Sequence, residues 1–488
     1  MSTQKPWVDR ALDILGRSLF PVPTEPNELD WKSGLSPNKE RLVEHLSAFA
    51  NYPGGGFFVF GIDNSTGQAI GVSQDGVDRI VGQLTNLGRD SLEPPLVIDH
   101  AVTQWETASL LIVRISEQPM KPVHRRGKSI EHAWVRSGGS TRKASRQEIG
   151  AMMMNSRTPR WEELRSSTRL RVPDLLDQID IAAVCKLLER PFPSDSDDAL
   201  RWLVDEKMVE IDNDGGYITN FGAIAAAREI RLFDTLQRKG VRVIRYRGLN
   251  KVETIDELVG HMGYAIGFER LIAYLKQILP HSEVIREALR AEVSVYPEIA
   301  LRELIANALI HQDFTIGGAG PMIEAFDDRI EFTNPGGLLP GKTIDRLIGA
   351  TPESRNEVLA AAFRRYRICE ERGTGFQKIV SAVELFGLPP VAFVQAENAF
   401  KVILYAPRKF AHMAQSERIE ACYQHAVLKY LSSGAMTNTS LRERLKMHEK
   451  QRTQVSNQIR DAVAAGRIKR KDPDSPSSKF AEYIPYWA

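Results

Sequence analysis

The sequence predicts a multidomain protein of mixed α/β (α+β) class. Three observations carry this. Stretches with apolar residues at helical spacing alternate with short runs rich in Val, Ile, Phe and Tyr, the patterns of helix and strand. Gly-rich turns such as Pro53-Gly54-Gly55-Gly56 punctuate them. The chain is 488 residues long, enough for roughly two to four domains.

Four blocks follow in order. Block 1–155 contains HLSAFANYPGGGFFVFGIDN (45–64), read as helix, turn and apolar strand, with further strands at SLLIVRIS (109–116) and EHAWVRSG (131–138). Block 156–293 carries ALRWLVDEKMVEIDNDGGYITNFG (199–222), a helix and then a hairpin turning at Asp-Gly-Gly, the layout of a small winged-helix unit. A strand at 241–248 and an amphipathic helix at 263–279 complete it. Block 294–409 holds LRELIANALIHQDF (301–314). A polar helix over 411–422 leads into block 418–488. That block reads as three helices, at 423–433, 438–447 and 451–466, and two strands around KDPDSPSSK (471–479).

Composition narrows the function classes. A hydrophobic fraction of 42% and a charged fraction of 26% are those of a soluble globular protein. At a net charge of +2, nucleic-acid affinity must come from local patches. Cys185, Cys369 and Cys422 are far apart and show neither pairing nor metal-ligand spacing, which points to a reducing compartment. The N-terminal stretch is amphipathic and broken by charges, unlike a signal peptide or membrane helix. A cytoplasmic protein without membrane association is expected.

The chemistry concentrates in block 294–409. Glu303, Asn307 and His311 recur every four residues and so share one helix face. PMIEAFDDRIEFTNPGGLL (321–339) reads as a hairpin turning at Asp327-Asp328. EERGTGFQKIVSAVELFG (370–387) sets Gly373, Thr374 and Gly375 just before a helix, where bare backbone amides suit phosphate. A polar helix face, a Gly-bearing strand end and a Gly loop before a helix, in that order, point to a nucleotide site.

The matching stretches are ELIANALIHQDF, NPGGLLP, SRNEVLAAAF and ERGTGFQKI. With them this block resembles the GHKL ATPase superfamily, which includes gyrase and the histidine kinases. The likeness is greatest to its divergent branch of bacterial ATP-binding or RecG-like proteins. The resemblance implies a GHKL α/β sandwich that binds ATP and Mg²⁺. Asn307 would hold Mg²⁺, and Glu303 would position or deprotonate the attacking water. His311 and Gly336 would adjoin the nucleotide, Gly373, Thr374 and Gly375 would wrap the phosphates, and Arg355 and Asn356 would lie near the lid. Asn334 stands near the family's adenine-binding Asp, and an amide accepts that hydrogen bond more weakly than a carboxylate. A helicase motor built on a G-x-x-x-x-G-K-[ST] loop is not expected.

In the first block, Glu25 lies five residues before Asp30 in LDWK, Lys32 follows, and SAFANYPGG and EHAWVRSGGSTRKAS come later. These stretches resemble the AlbA-like domain of Schlafen proteins and their bacterial relatives. Nucleolytic members bind metal with three acids. Glu25 and Asp30, assisted by Lys32, would be two of these, holding Mg²⁺ or Mn²⁺. The third position falls on Asn64, with Asp63 as the substitute one residue earlier. Binding of DNA or RNA draws on the stretch 121–143, with Arg125, Arg126, Lys128, Arg136, Arg142 and Lys143 as phosphate contacts.

The last block has the winged-helix pattern. Its third helix presents Arg452, Gln454, Asn457 and Arg460, residue types suited to base edges. The combined expectation is an ATP-binding nucleic-acid-binding protein, and the GHKL resemblance, whose domains commonly change dimer contacts around ATP, implies a homo-oligomer, dimer or larger. It would act as a transcriptional regulator, the alternative being an ATP-controlled metal-dependent nuclease of phage defence or stress.

Overall fold

The computed structural model describes residues 5–20, 25–156, 160–212, 215–286, 289–369, 374–474 and 481–488. The chain divides into two compact units, Met1–Arg160 and Trp161–Ala488.

The first unit runs α1 (Pro6–Leu19), β1 (Leu29–Lys32), α2 (Lys39–Asn51), β2 (Gly56–Phe60), α3 (Gln74–Asp90), β3 (Leu92–Glu93), β4 (Ile98–Trp105), β5 (Ala108–Ile115), β6 (His124–Arg125), β7 (Trp134–Ser137), β8 (Ser140–Lys143) and α4 (Arg146–Asn155). Its main sheet has the order β1-β2-β5-β4, with β1 parallel to β2 and the other pairs antiparallel. Successive side chains of a strand point to opposite faces. Phe58, Phe60, Leu111 and Val113 therefore pack with α2 and α3, while Phe57, Val59, Leu110 and Ile112 pack with Trp7 and Leu15 of α1. Helices on both faces explain why β2 and β5 read as unbroken apolar runs.

The polar residues of SAFAN are internal staples. Ser47 Oγ donates to the Val123 carbonyl at 2.7 Å. Asn51 donates to the Val123 and Trp134 carbonyls at 2.9 and 3.0 Å and accepts from the Val123 amide at 2.7 Å. Together they fasten the segment leading into β7 to α2.

The second unit opens with β9 (Leu170–Arg171), α5 (Val172–Gln178), α6 (Ile181–Leu187), α7 (Ser196–Asp205), β10 (Val209–Asp212), β11 (Gly215–Ile218) and α8 (Asn220–Ala226). Then come β12 (Arg242–Tyr246), β13 (Thr254–Val259), α9 (Tyr264–Ile278), the hairpin β14 (His281–Arg286) and β15 (Leu289–Ser294), α10 (Glu298–Ile310), β16 (Met322–Ala325), β17 (Arg329–Pro335), α11 (Glu357–Arg365), α12 (Gly375–Phe386), β18 (Ala392–Gln395) and β19 (Ala399–Tyr405). A six-stranded sheet, β13-β12-β16-β17-β19-β18, forms the centre, and α10 packs on α12 and β17. Ile323, Ala325, Ile330, Phe332 and Val402 of the sheet share a core with Leu301, Leu304 and Ile305 of α10 and Ile379 and Val383 of α12.

The chain ends with α13 (Gln415–Leu431), α14 (Asn438–Arg444), α15 (Arg452–Ala464), β20 (Ile468–Arg470) and β21 (Tyr483–Pro485). The polar linker helix expected over 411–422 and the helix expected over 423–433 are one continuous α13. Neither Gly nor Pro interrupts it, and the boundary set at 418 falls inside it. The blocks 156–293, 294–409 and 418–488 share one hydrophobic core, from Leu175 to Ile468.

Candidate functional site

A cleft with ≈ 1260 Å³ of open space, adjoining solvent included, lies between α10, the sheet and the long segment that joins β17 to α11. Glu303, Asn307 and His311 line it from α10, Asn334 from β17, Gly337, Leu338, Leu339, Lys342, Leu347 and the run Ala350 to Arg355 from the joining segment, and Gly375 from α12. The expected face of α10 is thus the cavity wall, with His311 as the residue that ends the helix. Gly375 is the first residue of α12. A Cβ there would lie 3.1 Å from Glu303 Oε2 and 3.5 Å from Asn307 Nδ2. Glycine leaves a cradle where a carboxylate, an amide and a helix N-terminus meet. Lys378, one turn into α12, brings its Nζ to 3.7 Å from Glu303 Oε1, a cation that the spacing argument had not singled out. Gly373 lies outside the described residues, and Thr374 is the N-cap of α12.

Burial, with help from Arg355 and Lys342, holds the His311 imidazole down to about 4. It is therefore neutral at physiological pH. Asn334 is buried in the wall and donates weakly to the Pro335 carbonyl at 3.4 Å.

Three expected nucleotide contacts also hold the protein's own backbone and packing together. Asn356 is buried and donates to the Ile310 and Gln312 carbonyls at 2.7 and 2.9 Å, capping the open end of α10. Arg355 reaches the cavity edge, but its guanidinium donates to the His311 and Gly337 carbonyls at 3.2 and 2.9 Å and to Asp313 at 3.3 Å. Gly336 has φ +92°, and a Cβ on it would meet the Asp313 Cβ at 2.7 Å. It serves the close packing of that turn, and Gly337 beside it lines the cavity.

One exclusion needs correcting. Residues 336–343, GGLLPGKT, do spell G-x-x-x-x-G-K-T. A phosphate loop of that kind joins a strand to an α-helix. Here the segment follows antiparallel β17 and enters only a short 3₁₀ turn, Ile344–Arg346. Lys342 turns back to its own segment, donating to the Thr351 carbonyl at 2.9 Å and lying 3.2 Å from Glu353. The match is one of spelling, and Lys342 braces the lid of the cavity.

The first unit contains a second acidic cluster. Asp30 is fully buried on β1. Lys32 Nζ bonds its Oδ1 and lies 3.3 Å from Glu25 Oε1, so one ammonium bridges both acids. His45 Nδ1 stands 3.0 Å and Arg136 Nη1 3.8 Å from Asp30 Oδ2. Burial alone would raise Asp30, but His45 and Lys32 outweigh it and hold the carboxyl at about 2. Burial, then the Asp30 charge, raises Glu25. Asp63 does not join them. It accepts from the backbone and hydroxyls of Ser65 and Thr66 in its own turn, which hold it below the usual carboxylate range. Asn64 Oδ1 accepts from the Ser33 amide at 2.8 Å and fixes the end of β1. Among the described residues no group of three or more His, Cys, Asp or Glu is placed to hold a metal ion. A divalent cation does not fit here, because protein cations already fill the space between the acids.

The expected phosphate contacts divide by burial. Arg136 is buried, donating to the Asn27, Pro26 and Leu29 carbonyls at 3.2, 3.1 and 3.4 Å and stacking over Phe49. It is a structural cation, unavailable to nucleic acid. Arg126, Lys128 and Lys143 are exposed. Arg125 pairs with Glu40 at 3.0 Å and Arg142 with Glu148 at 2.7 Å. On α15, Arg452, Gln454, Asn457 and Arg460 are all exposed, with Arg460 donating to Asn457 at 3.1 Å.

Two family models match. Residues 25–145 match the Schlafen AlbA_2 model, and residues 318–404 match HATPase_c_4, described as the ATP-dependent DNA helicase recG C-terminal region. The chain thus carries a Schlafen-type AlbA_2 domain and a RecG-C-terminal-type ATPase-like domain. Among solved structures, the DIP2311 protein from Corynebacterium diphtheriae is similar at 16% identity, with 98% of this chain and 96% of that one covered and a TM-score of 0.44. The N-terminal domain of a RecG-related protein from Nitrosomonas europaea is similar at 22% identity, covering 28% of this chain and 92% of its own, with a TM-score of 0.21. No curated protein matches the chain. Among the described residues no helix is long and apolar enough to cross a membrane.

Proposed function

We propose that the chain is a cytoplasmic nucleic-acid-binding protein whose engagement is controlled by ATP, working as a transcriptional regulator. One observation carries the reading: Glu303 and Asn307 meet at the Gly375 cradle, beside a cavity open enough for a nucleotide. A carboxylate and an amide oxygen are donors of the kind Mg²⁺ takes, and the α12 N-terminus suits phosphate. Bound Mg²⁺ would draw negative charge from the phosphates. Asn307 would hold the cation, the first-turn amides of α12 would orient the phosphates, and Glu303 would align water and accept its proton.

The helices and hairpin from α13 to β21 support a winged-helix reading, with α15 as the element that meets DNA. The exposed Arg126, Lys128 and Lys143 support phosphate contact by the first unit. The nuclease alternative is less well supported, because Lys32 and Arg136 already balance the charge of Asp30 and His45 stands 3.0 Å from its carboxylate. Phosphate release measured with Mg·ATP tests the central reading. Glu303→Ala should retain nucleotide binding and lose turnover, and equal turnover would remove Glu303 from the mechanism.

A further inference from the structure

The C-terminal elements grip two walls of the cavity, the segment that holds Asp345 and the helix α12. The first grip is on the lid. Arg467 follows α15 and precedes β20. Its Nη1 donates to Asp345 Oδ1 at 2.5 Å, and its Nη2 donates to Glu420 of α13 at 2.7 Å. The same guanidinium stacks 3.9 Å over Tyr423. Asp345 lies in the 3₁₀ turn of the lid, two residues before Leu347 of the cavity wall. Tyr486 donates to Asp345 Oδ2 at 3.1 Å, and Tyr423 donates to the Asp345 carbonyl. Gly349 in the lid admits Leu431 of α13, since a Cβ would stand 2.7 Å from that side chain.

The second grip is on the far end of α12. Glu384 Oε2 lies 3.0 Å from His425 Nδ1, and Glu384 Oε1 lies 3.2 Å from Arg444 Nε. His425 Nε2 continues to Ser440 at 3.1 Å. This carboxylate–imidazole–hydroxyl chain is not a nucleophilic triad, because Ser440 Oγ already caps α14 by accepting from the Thr437 amide at 3.0 Å. It is a joint between α12, α13 and α14. The helix whose first residue forms the phosphate cradle is thus held at its last turn by the elements that present α15.

From these two grips we infer that Arg467 is a positioning residue that couples the lid to α15, so that nucleotide in the cavity and duplex DNA on α15 alter each other's affinity. The inference rests on the proposed nucleotide and DNA sites and names the link between them. An element that bridges two sites couples them only if it has two arrangements that both ligands bias. The Arg467–Asp345 pair is charge-assisted and partly exposed at the surface rather than sealed in the apolar core, so it can be made and broken without unfolding that core. Coupling of binding is reciprocal, so it has a signature that a merely structural pair lacks.

The experiment uses the full chain, wild type and Arg467→Gln, with Arg467→Lys as the conservative variant. The probes are Mg·ATP and a fluorescein-labelled 20-base-pair DNA duplex. In wild type, saturating duplex should shift the ATP Kd by about fivefold or more, and ATP should shift the duplex Kd by the same factor. Arg467→Gln should bind each ligand alone with a factor below about twofold between them, and Arg467→Lys should restore part of the coupling. Undiminished coupling in Arg467→Gln, or none in wild type, overturns the inference. If wild type binds no ATP, the proposed function fails separately, and hydrogen exchange decides the grip alone. Exchange over 338–354 should be about tenfold faster in Arg467→Gln, with residues 399–405 unaltered, and equal lid exchange overturns it.

Discussion

The two acidic sites of this chain differ in what balances their charge. In the first unit Asp30 is buried, and Lys32, His45 and Arg136 surround it. In the second, Glu303 and Asn307 face an open cavity across a glycine cradle. A carboxylate already paired by its own protein contributes to stability, and replacing it is felt as an uncompensated buried charge. A carboxylate at the wall of a cavity, such as Glu303 with Lys378 3.7 Å away, stands within reach of what enters. The same residue types therefore predict chemistry at one site and architecture at the other.

The largest effect should come from Glu303→Gln. ATP turnover should fall about 100-fold or more, the usual contribution of a positioned base, while nucleotide binding measured by calorimetry persists. A mutant with wild-type turnover would erase the contrast between the sites. Gly375→Val fills the cradle and should weaken Mg·ATP by about tenfold or more, since hydrogen bonds to a charged group are worth about 1.5–3 kcal/mol. The Tm should move little, and unchanged affinity would mean that phosphate sits elsewhere.

The first unit should respond in stability instead. The Asp30 pKa is about 2 in the folded chain against an ordinary 3.8. Its contribution is therefore fully present above about pH 3.8 and lost as pH falls through about 2, worth about 2 kcal/mol. Asp30→Asn should cost about that much at pH 7 and nearly nothing at pH 2 in denaturant unfolding. A cost independent of pH would contradict the ion-pair reading. The smallest effect concerns exposed cations. Lys128→Ala or Lys143→Ala should each reduce the salt slope of nucleic-acid binding by about one and leave the Tm unmoved. Arg136→Ala should instead unfold the first unit more readily, because four carbonyl and hydroxyl partners and Asp30 lose their cation.

Much of this was legible in the sequence, for stated reasons. Four-residue spacing puts Glu303 and Asn307 on one helix face whatever the tertiary context, and a glycine before a helix invites close approach. Helix periodicity likewise revealed α9, α10 and α15. Roles set by long-range partners were hidden. Asn356 looks like a ligand until it is found capping α10, and Arg136 looks like a phosphate contact until it is found beneath the segment 26–29. Lys342 carries a spelling that its surroundings contradict. Nothing local to Arg467 reveals a partner 122 positions away.

The most direct measurement is Mn²⁺ binding followed by electron paramagnetic resonance, with and without ATP, on wild type, Asn307→Ala and Asp30→Asn. Tight Mn²⁺ binding should require ATP, disappear in Asn307→Ala and survive in Asp30→Asn. Tight binding without nucleotide that Asp30→Asn abolishes would put the metal chemistry in the first unit and contradict the assignment made here.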